Sequence, residues 1–295
     1  MADAPKRKRR FGDRHDARKL RSLPPMEYVS PFIMKDRNDA QNLFSASVDC
    51  DYIEDYIRAK REEGLVGFGF MHIIIAGYVR MVSQYPGINR YIAGQRIFSR
   101  DEIIVSMMVK KEMKLNAQES AIKVRFSPSD TVYDVYNKIN EQIKIATAQG
   151  DTNGFDKIAR TLVKLPSLLL RGFVGLMKSM DYFGIMPRII DEVSPFHASL
   201  FVSNLGSLGI PPIYHHIYNF GNISVFITFG AKRKELKLNA DGSVSDHYVI
   251  DYTVVTDERI TDGHYMANAF KGLEKVFRAP EKLDTPPAKV VYDVD

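Results

Sequence analysis

One stretch of the sequence constrains the fold more than any other, because it combines a strand, a tight turn and the start of a helix. Between Tyr248 and Val254 apolar residues alternate with less apolar ones, which is the period of a strand with one buried face. Asp262-Gly263 then predicts a turn and a helix cap, because an Asp oxygen accepts hydrogen bonds from free amides of a first helical turn. From His264 to Phe277 the apolar residues recur at helical spacing. The stretch therefore predicts a strand that leads into an amphipathic helix.

The composition is that of an ordinary globular chain. Its 295 residues are 45% hydrophobic and 26% charged, which is enough to build one large domain with a core. The single cysteine, Cys50, excludes an internal disulfide and favours a reducing, cytoplasmic compartment. The sequence shows no signal peptide and no apolar run of the roughly 18 residues that a membrane span needs.

The positive charge is concentrated at one end of the sequence. Residues 1–21 hold nine Lys/Arg against three Asp, and the remainder has 32 basic and 33 acidic residues. We therefore expect a disordered basic arm over residues 1–25, either solubilising or in contact with an anionic membrane, RNA or acidic protein. The folded body, residues 26–283, gives no electrostatic case for nucleic-acid binding. Residues 284–295, with two adjacent prolines and three aspartates, predict an extended acidic tail.

Helical and strand patterns alternate along the body, which predicts a mixed α/β (α+β) fold. Helices are expected over residues 52–61, 71–84 and from Asp130 to about 148; strands are expected over residues 43–48, 103–109, 121–126, 199–206 and 224–230. An Asp-Gly turn at residues 239–242 then predicts a hairpin into the final strand.

Residues 150–195 form an unusual insertion in which leucine, methionine and phenylalanine are interleaved with lysine and arginine. Pro166 and Pro187 divide the segment into short helices. Three interpretations stay open: a contact between copies or a cover for the core, a helix at a membrane surface, and a pocket for a lipid or long acyl chain.

Two motifs carry a resemblance to a known family. The stretch Asp257-Glu258-Arg259-Ile260-Thr261-Asp262-Gly263 resembles the Asp-His-Arg-x-x-Asp-Gly motif of 2-oxoacid dehydrogenase acyltransferases and their chloramphenicol acetyltransferase relatives. Leu200-Phe201-Val202-Ser203-Asn204-Leu205-Gly206 is similar to the family's Phe-Thr-Ile-Ser-Asn-Leu-Gly strand. The resemblance implies the mixed-sheet sandwich of that superfamily. Glu258 stands where the family has its catalytic histidine.

The resemblance also implies roles for individual residues. Ser203 would donate to the oxyanion of an acyl-transfer intermediate and Asp262 would support the base at position 258, on a coenzyme A or carrier thioester. The structural alternatives are a strand-end hydroxyl for Ser203 and a helix cap for Asp262. His264, at the helix start, is a candidate substitute base. The relatives build this site between neighbouring subunits, so we expect a trimer or a trimer-based homo-oligomer.

Glu258 decides between two functions. A Glu carboxyl and a thiol differ by about four pKa units, so a proton transfer between them costs roughly 5–6 kcal/mol. Burial would reduce that gap, whereas an ion pair with Arg259 would widen it again. The chain is therefore either an acyltransferase with an altered base or an inactive pseudoenzyme that serves as an oligomeric scaffold or binding protein, and membrane-surface association is open for both.

The remaining histidines and the basic arm predict no metal site and no attached cofactor. The pair His215-His216 lacks a third ligand at metal-binding spacing, so no metal site is predicted, and loop or packing roles fit these residues. His72 falls on the apolar face of a predicted helix, which indicates a core histidine. The basic arm is too short for a lipoyl-bearing domain, so we expect no lipoyl attachment site in this chain.

Overall fold

The computed structural model describes residues 8–110, 119–148 and 162–295, and a six-stranded mixed sheet lies at its centre. The strands of the described ranges are, in chain order, β1 (Ala17–Lys19), β2 (Gln41–Asp49), β3 (Arg90–Ala93), β4 (Arg96–Arg100), β5 (Ile103–Lys110), β6 (Glu119–Phe126), β7 (Leu200–Asn204), β8 (Val225–Leu238) and β9 (Val244–Asp257). The large sheet has the order β2-β9-β8-β7-β5-β6. Strand β7 runs parallel to both of its neighbours, β5 and β8, and the other pairs are antiparallel.

Seven helices surround the sheets in the described ranges. They are α1 (Pro25–Ile33), α2 (Cys50–Glu62), α3 (Phe70–Gln84), α4 (Val132–Ala148), α5 (Ser167–Phe183), α6 (Arg188–Val193) and α7 (Gly263–Phe277). Short 3-10 turns cover Arg37–Ala40, Pro86–Asn89, Gly206–Leu208, Glu258–Ile260 and Pro280–Leu283. This architecture confirms the predicted mixed α/β fold, with its elements close to the predicted positions.

The main core lies between one face of the sheet and helices α3, α4 and α7. Helix α3 is apolar almost all round, as a helix packed on several sides must be, and most of its residues are buried. Gly77 lets α7 approach closely, because a Cβ there would lie 2.7 Å from the Leu273 side chain. Alternate residues of β7, β8 and β9 complete this core, among them Val202, Ile227 and Val254.

The opposite face of the sheet carries a smaller apolar cluster. Phe201, Phe226 and Val255 pack there against Ile217 and Ile223, which belong to the loop between β7 and β8. Strand β9 is therefore buried on both faces from Tyr252 to Asp257, not on one face as the alternating pattern predicts. Along its outer half, where the β8–β9 hairpin extends into solvent, Tyr248 is exposed and Val249 is buried, which is the reverse of the predicted alternation.

The N-terminal segment is not the disordered arm that its charge predicts, at least from residue 8 onward. Strand β1 pairs with β4 in a three-stranded sheet, and Ala17 and Leu20 are buried. Its cations meet the chain's own carboxylates, for example Arg14 with Asp181 at 3.0 Å. The prediction of disorder failed because the carboxylate partners of these cations are distant in sequence. The local composition of residues 1–25 therefore shows a net positive charge that the folded chain neutralises.

The acidic tail is extended, as predicted, but packed. Asp293 is buried, and its carboxylate accepts hydrogen bonds from Nε and Nη2 of Arg90 at 2.9 and 2.7 Å. The backbone amides of Arg21 and Ser22 donate to the carbonyl oxygen of Asp295. The two ends of the described chain therefore form one structure, and the domain reaches beyond the predicted limits of 26 and 283.

In the part of the insertion that the structure describes, two helices follow the two prolines as predicted. Pro166 precedes α5 and Pro187 precedes α6. The start of the insertion, residues 150–161, lies outside the described residues. Among the helices that the structure describes, none has the length and apolar character needed to cross a bilayer.

Candidate functional site

Glu258 lies at the end of β9, in the first position of a 3-10 turn. Its side chain is exposed, and the described residues give it no hydrogen bond or ion pair. The turn is capped instead by Asp257, whose carboxylate accepts a hydrogen bond from the Arg259 backbone amide at 3.2 Å. The carboxylate at position 258 is therefore free to meet a substrate or another chain.

The residues on either side of Glu258 form a buried ion pair. The Arg259 guanidinium donates to both carboxylate oxygens of Asp257 at 2.6 and 2.7 Å, and it also donates to the carbonyl oxygen of Met34 at 2.7 Å. Arg37 approaches the same carboxylate at 3.9 Å. The ion pair between Arg259 and Glu258 that the sequence left open is not formed, because the Arg259 guanidinium pairs with the buried Asp257.

Asp262 and His264 follow at the start of α7. The Asp262 carboxylate accepts from the Tyr265 amide at 2.9 Å, which makes it the N-cap of the helix. His264 is exposed on the first turn, and only its backbone carbonyl takes part in a side-chain hydrogen bond, from Asn268. Asp262 thus has a structural role whether or not it also supports a base.

Ser203 lies near the end of β7, on the face of the smaller apolar cluster. It is half-buried and pairs across the strands with Thr228, which pairs with Thr253, which in turn pairs with Ser45. Directly opposed residues point to the same face, so four hydroxyl side chains form a row across four strands. We call Ser45, Thr253, Thr228 and Ser203 the hydroxyl row.

The loop after Ser203 explains part of its motif without catalysis. The Ser207 backbone amide donates to the Asn204 side-chain oxygen at 3.1 Å, and the Ser207 hydroxyl donates to the Asn204 backbone oxygen at 3.0 Å. These hydrogen bonds of the turn do not involve the Ser203 side chain. Gly206 is required because a Cβ there would lie 2.6 Å from the Gly230 carbonyl oxygen. The Ser203 hydroxyl is therefore not the group that satisfies the turn.

The loop between β7 and β8 covers the hydroxyl row. The Thr253 hydroxyl donates to the carbonyl oxygen of Ile213 at 2.6 Å. His215 stacks on Phe226 with ring centroids 4.5 Å apart, and burial together with the neighbouring His216 lowers the pKa of His215. The position of His215 in the loop after the Ser203 motif suggests that it could approach the same site, and the structure places it on the face of the hydroxyl row, against Phe226.

Ser203 and Glu258 lie at opposite ends of the sheet within one chain. Ser203 is level with Thr253, and Glu258 follows Thr253 by five residues along β9. Five strand residues span about 17 Å, and two steps between neighbouring strands add about 10 Å across the sheet. A single chain does not bring the two motifs together, so any site that uses both needs residues of two copies.

Metal-binding geometry occurs elsewhere and with other residues. Among the residues that the structure describes, Asp49, Asp51 and His247 form the one group whose possible ligand atoms lie within 4.8 Å of one another. His247 lies between the two carboxylates, with its Nε2 3.4 Å from Asp49.

His72 is buried, as expected, and its Nδ1 accepts a hydrogen bond from the Gly69 amide at 3.2 Å.

Three basic residues that follow Thr228 along β8 form ion pairs with carboxylates. Lys232 pairs with Glu54, Arg233 with Asp251 at 2.5 Å, and Lys234 with Asp246 at 2.8 Å. A coenzyme A phosphate would have to compete with these pairs. The described residues of one chain therefore do not contain a prepared phosphate site on this strand.

The fold is that of acyltransferase cores. A probable dihydrolipoamide acetyltransferase from Listeria monocytogenes 4b F2365 is similar with a TM-score of 0.56, over 92% of this chain and 98% of its own, at 14% identity. A chloramphenicol acetyltransferase gives 0.54, over 88% and 99%, at 12% identity. A truncated catalytic core of the 2-oxoacid dehydrogenase multienzyme complex from Thermoplasma acidophilum gives 0.53, over 88% and 98%, also at 12%. No protein-family model and no curated protein matches the sequence.

These similarities confirm the fold that the two motifs predict. At such low identity they show the fold alone, so the roles of Ser203, Glu258, Asp262 and His264 remain predictions. The structural neighbours also include the cubic core of a pyruvate dehydrogenase multienzyme complex, so this fold occurs in large assemblies.

Proposed function

We propose that the chain transfers an acyl group from a thioester, in a site completed by two copies. Ser203 of one copy would donate to the oxyanion, and Glu258 of the neighbouring copy would accept the proton of the attacking group. The observation that carries the proposal is the position of Glu258, exposed and without a partner in the described residues, at the place where acyltransferases with this fold have a base.

The geometry favours a closed ring of copies. Ser203 and Glu258 belong to different patches of the chain, so a contact between them joins two unlike surfaces. Such head-to-tail contacts close only when the copies form a ring. A trimer is the smallest such ring that the resemblance predicts, and it would contain three equivalent sites.

Ser203 and Glu258 together would account for the proton and the negative charge in each step of the transfer. The nucleophile of the acceptor attacks the thioester carbonyl carbon, and its proton passes to the Glu258 carboxylate. The oxyanion that forms accepts a hydrogen bond from the Ser203 hydroxyl, a contribution of about 3–4 kcal/mol in comparable sites. When the tetrahedral intermediate collapses, the C–S bond breaks and the leaving thiolate takes the proton back from Glu258.

The carboxylate base restricts the acceptor. A carboxyl is a poor base for an ordinary thiol because of the pKa gap of about four units. An acceptor that is more acidic than a thiol, or that arrives deprotonated, removes most of this cost. The donor is either coenzyme A or a thioester on a carrier protein, and a coenzyme A phosphate would have to displace the carboxylates that pair with Lys232, Arg233 and Lys234.

A second candidate function is an inactive scaffold or binding protein with the same fold. The observation that favours it is the carboxylate itself, since Glu258 replaces the imidazole that this chemistry ordinarily uses. In that case the intact Asp257–Arg259 pair preserves the fold of a former active site.

The decisive experiment is complementation between two inactive variants. Full-length protein is incubated with acetyl-coenzyme A and longer acyl thioesters, and thiol release and acylated products are measured. We expect Ser203→Ala and Glu258→Gln each to lose about 100-fold in rate or more. When the two variants are mixed in equal amounts and their subunits exchange, about a quarter of the wild-type rate should return. Random assortment places an intact Ser203 beside an intact Glu258 in that share of the sites.

Glu281→Gln, an exposed acid on the last 3-10 turn, is the matched control and should keep the wild-type rate. Turnover that survives both site variants, or variants that fail to complement, would contradict the shared site. No turnover with any thioester, together with an unchanged particle mass for Glu258→Gln, would support the scaffold.

A further inference from the structure

Three side chains of the types that bind transition metals meet where the β8–β9 hairpin passes the start of α2. Asp49 is the last residue of β2, Asp51 lies in the first turn of α2, and His247 lies on the outer half of β9. One oxygen or nitrogen atom of each residue lies within 4.8 Å of those of the other two. The histidine is remote in sequence from the two aspartates, so the folded chain is what assembles this group.

The distances between these atoms are those of ligands around a metal ion. Nε2 of His247 lies 3.4 Å from Oδ2 of Asp49, and its Nδ1 lies 3.7 Å from Oδ2 of Asp51. A hydrogen bond from a protonated imidazole to a carboxylate is shorter, at about 2.7–2.9 Å. Two ligands of a tetrahedral zinc ion, with bonds of about 2.0–2.1 Å, lie about 3.3 Å apart. The distance from His247 to Asp49 therefore fits a shared cation better than a direct hydrogen bond.

Two of the three side chains are already held in position. The Asp49 carboxylate caps α2, because its Oδ1 accepts a hydrogen bond from the Asp51 backbone amide at 2.9 Å. The oxygen that faces His247 is the other one, Oδ2, so the cap leaves it available to a cation. The His247 side chain is only 14% exposed, whereas that of Asp51 is 71% exposed. Two ligands are therefore fixed, and the third can close on an ion that arrives from solvent.

The charges around the group favour a bound cation. Asp49 and Asp51 place two carboxylates close together, and like charges at short range repel each other. Glu235, directly across from His247 on β8, adds a third acid to this side of the hairpin. The neighbouring cations Lys232 and Lys234 are paired with other carboxylates. A divalent ion would supply the counter-charge that these lysines do not.

We propose that Asp49, Asp51 and His247 bind a divalent transition-metal ion, with Zn²⁺ as the ion whose coordination fits them. The imidazole nitrogen favours zinc over magnesium and calcium, which take oxygen ligands. Two carboxylate oxygens and one nitrogen leave the fourth position of a tetrahedral ion to water. The ion would join the outer half of β9 to the start of α2, and it would fix the projecting hairpin to the body of the domain.

The position of the group gives the ion a structural role. His247 precedes Thr253 by six residues along β9 and Glu258 by eleven. At the rise of a strand these separations are about 20 Å and about 35 Å, so the ion would touch neither the hydroxyl row nor Glu258. The inference therefore does not depend on acyl transfer.

Zinc binding by the full chain tests the site. The protein is dialysed against EDTA and then titrated with ZnCl₂ in a calorimeter at neutral pH. We expect one Zn²⁺ per chain, and His247→Gln and Asp51→Asn should each weaken binding at least about tenfold, because each removes one of three ligands. Zn²⁺ should also raise the melting temperature of the wild type, since the group exists only in the folded chain, and it should not do so in His247→Gln.

Asp55→Asn, an exposed acid on the same helix, and His216→Gln, an exposed histidine elsewhere, are the matched controls and should keep the wild-type affinity. Without metal, His247→Gln should melt at the wild-type temperature, which separates lost binding from lost folding. Three outcomes overturn the proposal. They are no binding up to about 1 mM Zn²⁺, binding that survives His247→Gln, and Mg²⁺ or Ca²⁺ that binds as tightly as Zn²⁺.

Discussion

Three consecutive residues at the end of β9, Asp257, Glu258 and Arg259, have sharply different environments. The outer two are buried and joined by a bidentate ion pair, whereas Glu258 is exposed between them. A buried guanidinium and carboxylate each need the other, because an unpaired charge in the interior is costly. The middle position is therefore the one that can change without loss of the fold, and it is the position that differs from the family motif.

Substitutions at Arg259 and Glu258 should differ in their effect on the free energy of unfolding. Arg259→Met leaves the buried Asp257 with only Arg37 nearby, at 3.9 Å, so we expect the free energy of unfolding to fall by about 3–5 kcal/mol. Glu258→Gln should change it by less than about 0.5 kcal/mol, because the side chain is exposed. Denaturant unfolding at one protein concentration measures both, and equal losses would contradict the assignment.

His72 gives the stability a dependence on pH. Burial lowers the pKa of His72 to about 4, whereas in the unfolded chain it is near 6.5. Below pH 6.5 the unfolded chain binds a proton that the folded chain does not bind until about pH 4. The contribution of neutral His72 is thus complete above pH 6.5, and up to about 3 kcal/mol is lost as the pH falls to 4.

His72→Gln removes this titration and keeps an acceptor for the Gly69 amide. Its free energy of unfolding, measured at pH 7 and pH 5, should change less between the two values than that of the wild type. The same pH dependence in both proteins would show that other groups cause it.

Among the elements, those with a local signal could be predicted from the sequence. Helices α2, α3 and α7 show their apolar periodicity and end signals within their own sequence. Strands β5 and β7 are likewise marked by local runs of apolar residues. The N-terminal segment could not be predicted, because Arg14 and Arg18 meet partners 167 and 275 residues away. For the same reason the motif placed Ser203 and Glu258 on strand ends but could not show how far apart the sheet holds them.

Arg90 links three elements and provides a test of the packed tail. It holds Asp293, donates to the carbonyl oxygen of Ile260 at 3.1 Å and lies 3.5 Å from Glu27. Asp293→Asn therefore removes the main counter-charge of a buried guanidinium, and we expect a loss of about 2–4 kcal/mol in the free energy of unfolding.

Because Ile260 belongs to the turn that begins with Glu258, proteolysis of that turn should also become faster in Asp293→Asn. Glu281→Gln, whose side chain is exposed, serves as the control. Unchanged stability in Asp293→Asn would mean that the tail is not part of the folded domain.

For the whole molecule, the sequence motifs identified the fold although overall identity to its structural neighbours is only 14% or less in the comparisons above. Short motifs suffice because they encode a strand end, a close backbone approach at Gly206 and a capped helix, all of which the fold needs. The assembly is encoded differently. It would depend on contacts between copies, and a short motif in one chain does not describe both sides of such a contact.

The meeting of the two chain ends has a consequence for biosynthesis. The Ser22 side chain donates to the carbonyl oxygen of Asp295, 273 residues later. At about 5–20 residues per second a ribosome needs roughly 15–55 s to make that length. For most of that interval Arg18 of β1 has been made but its partners Asp293 and Asp295 have not. Nascent chains should therefore expose Arg18 to chaperones or to polyanions until Asp293 and Asp295 have been synthesised.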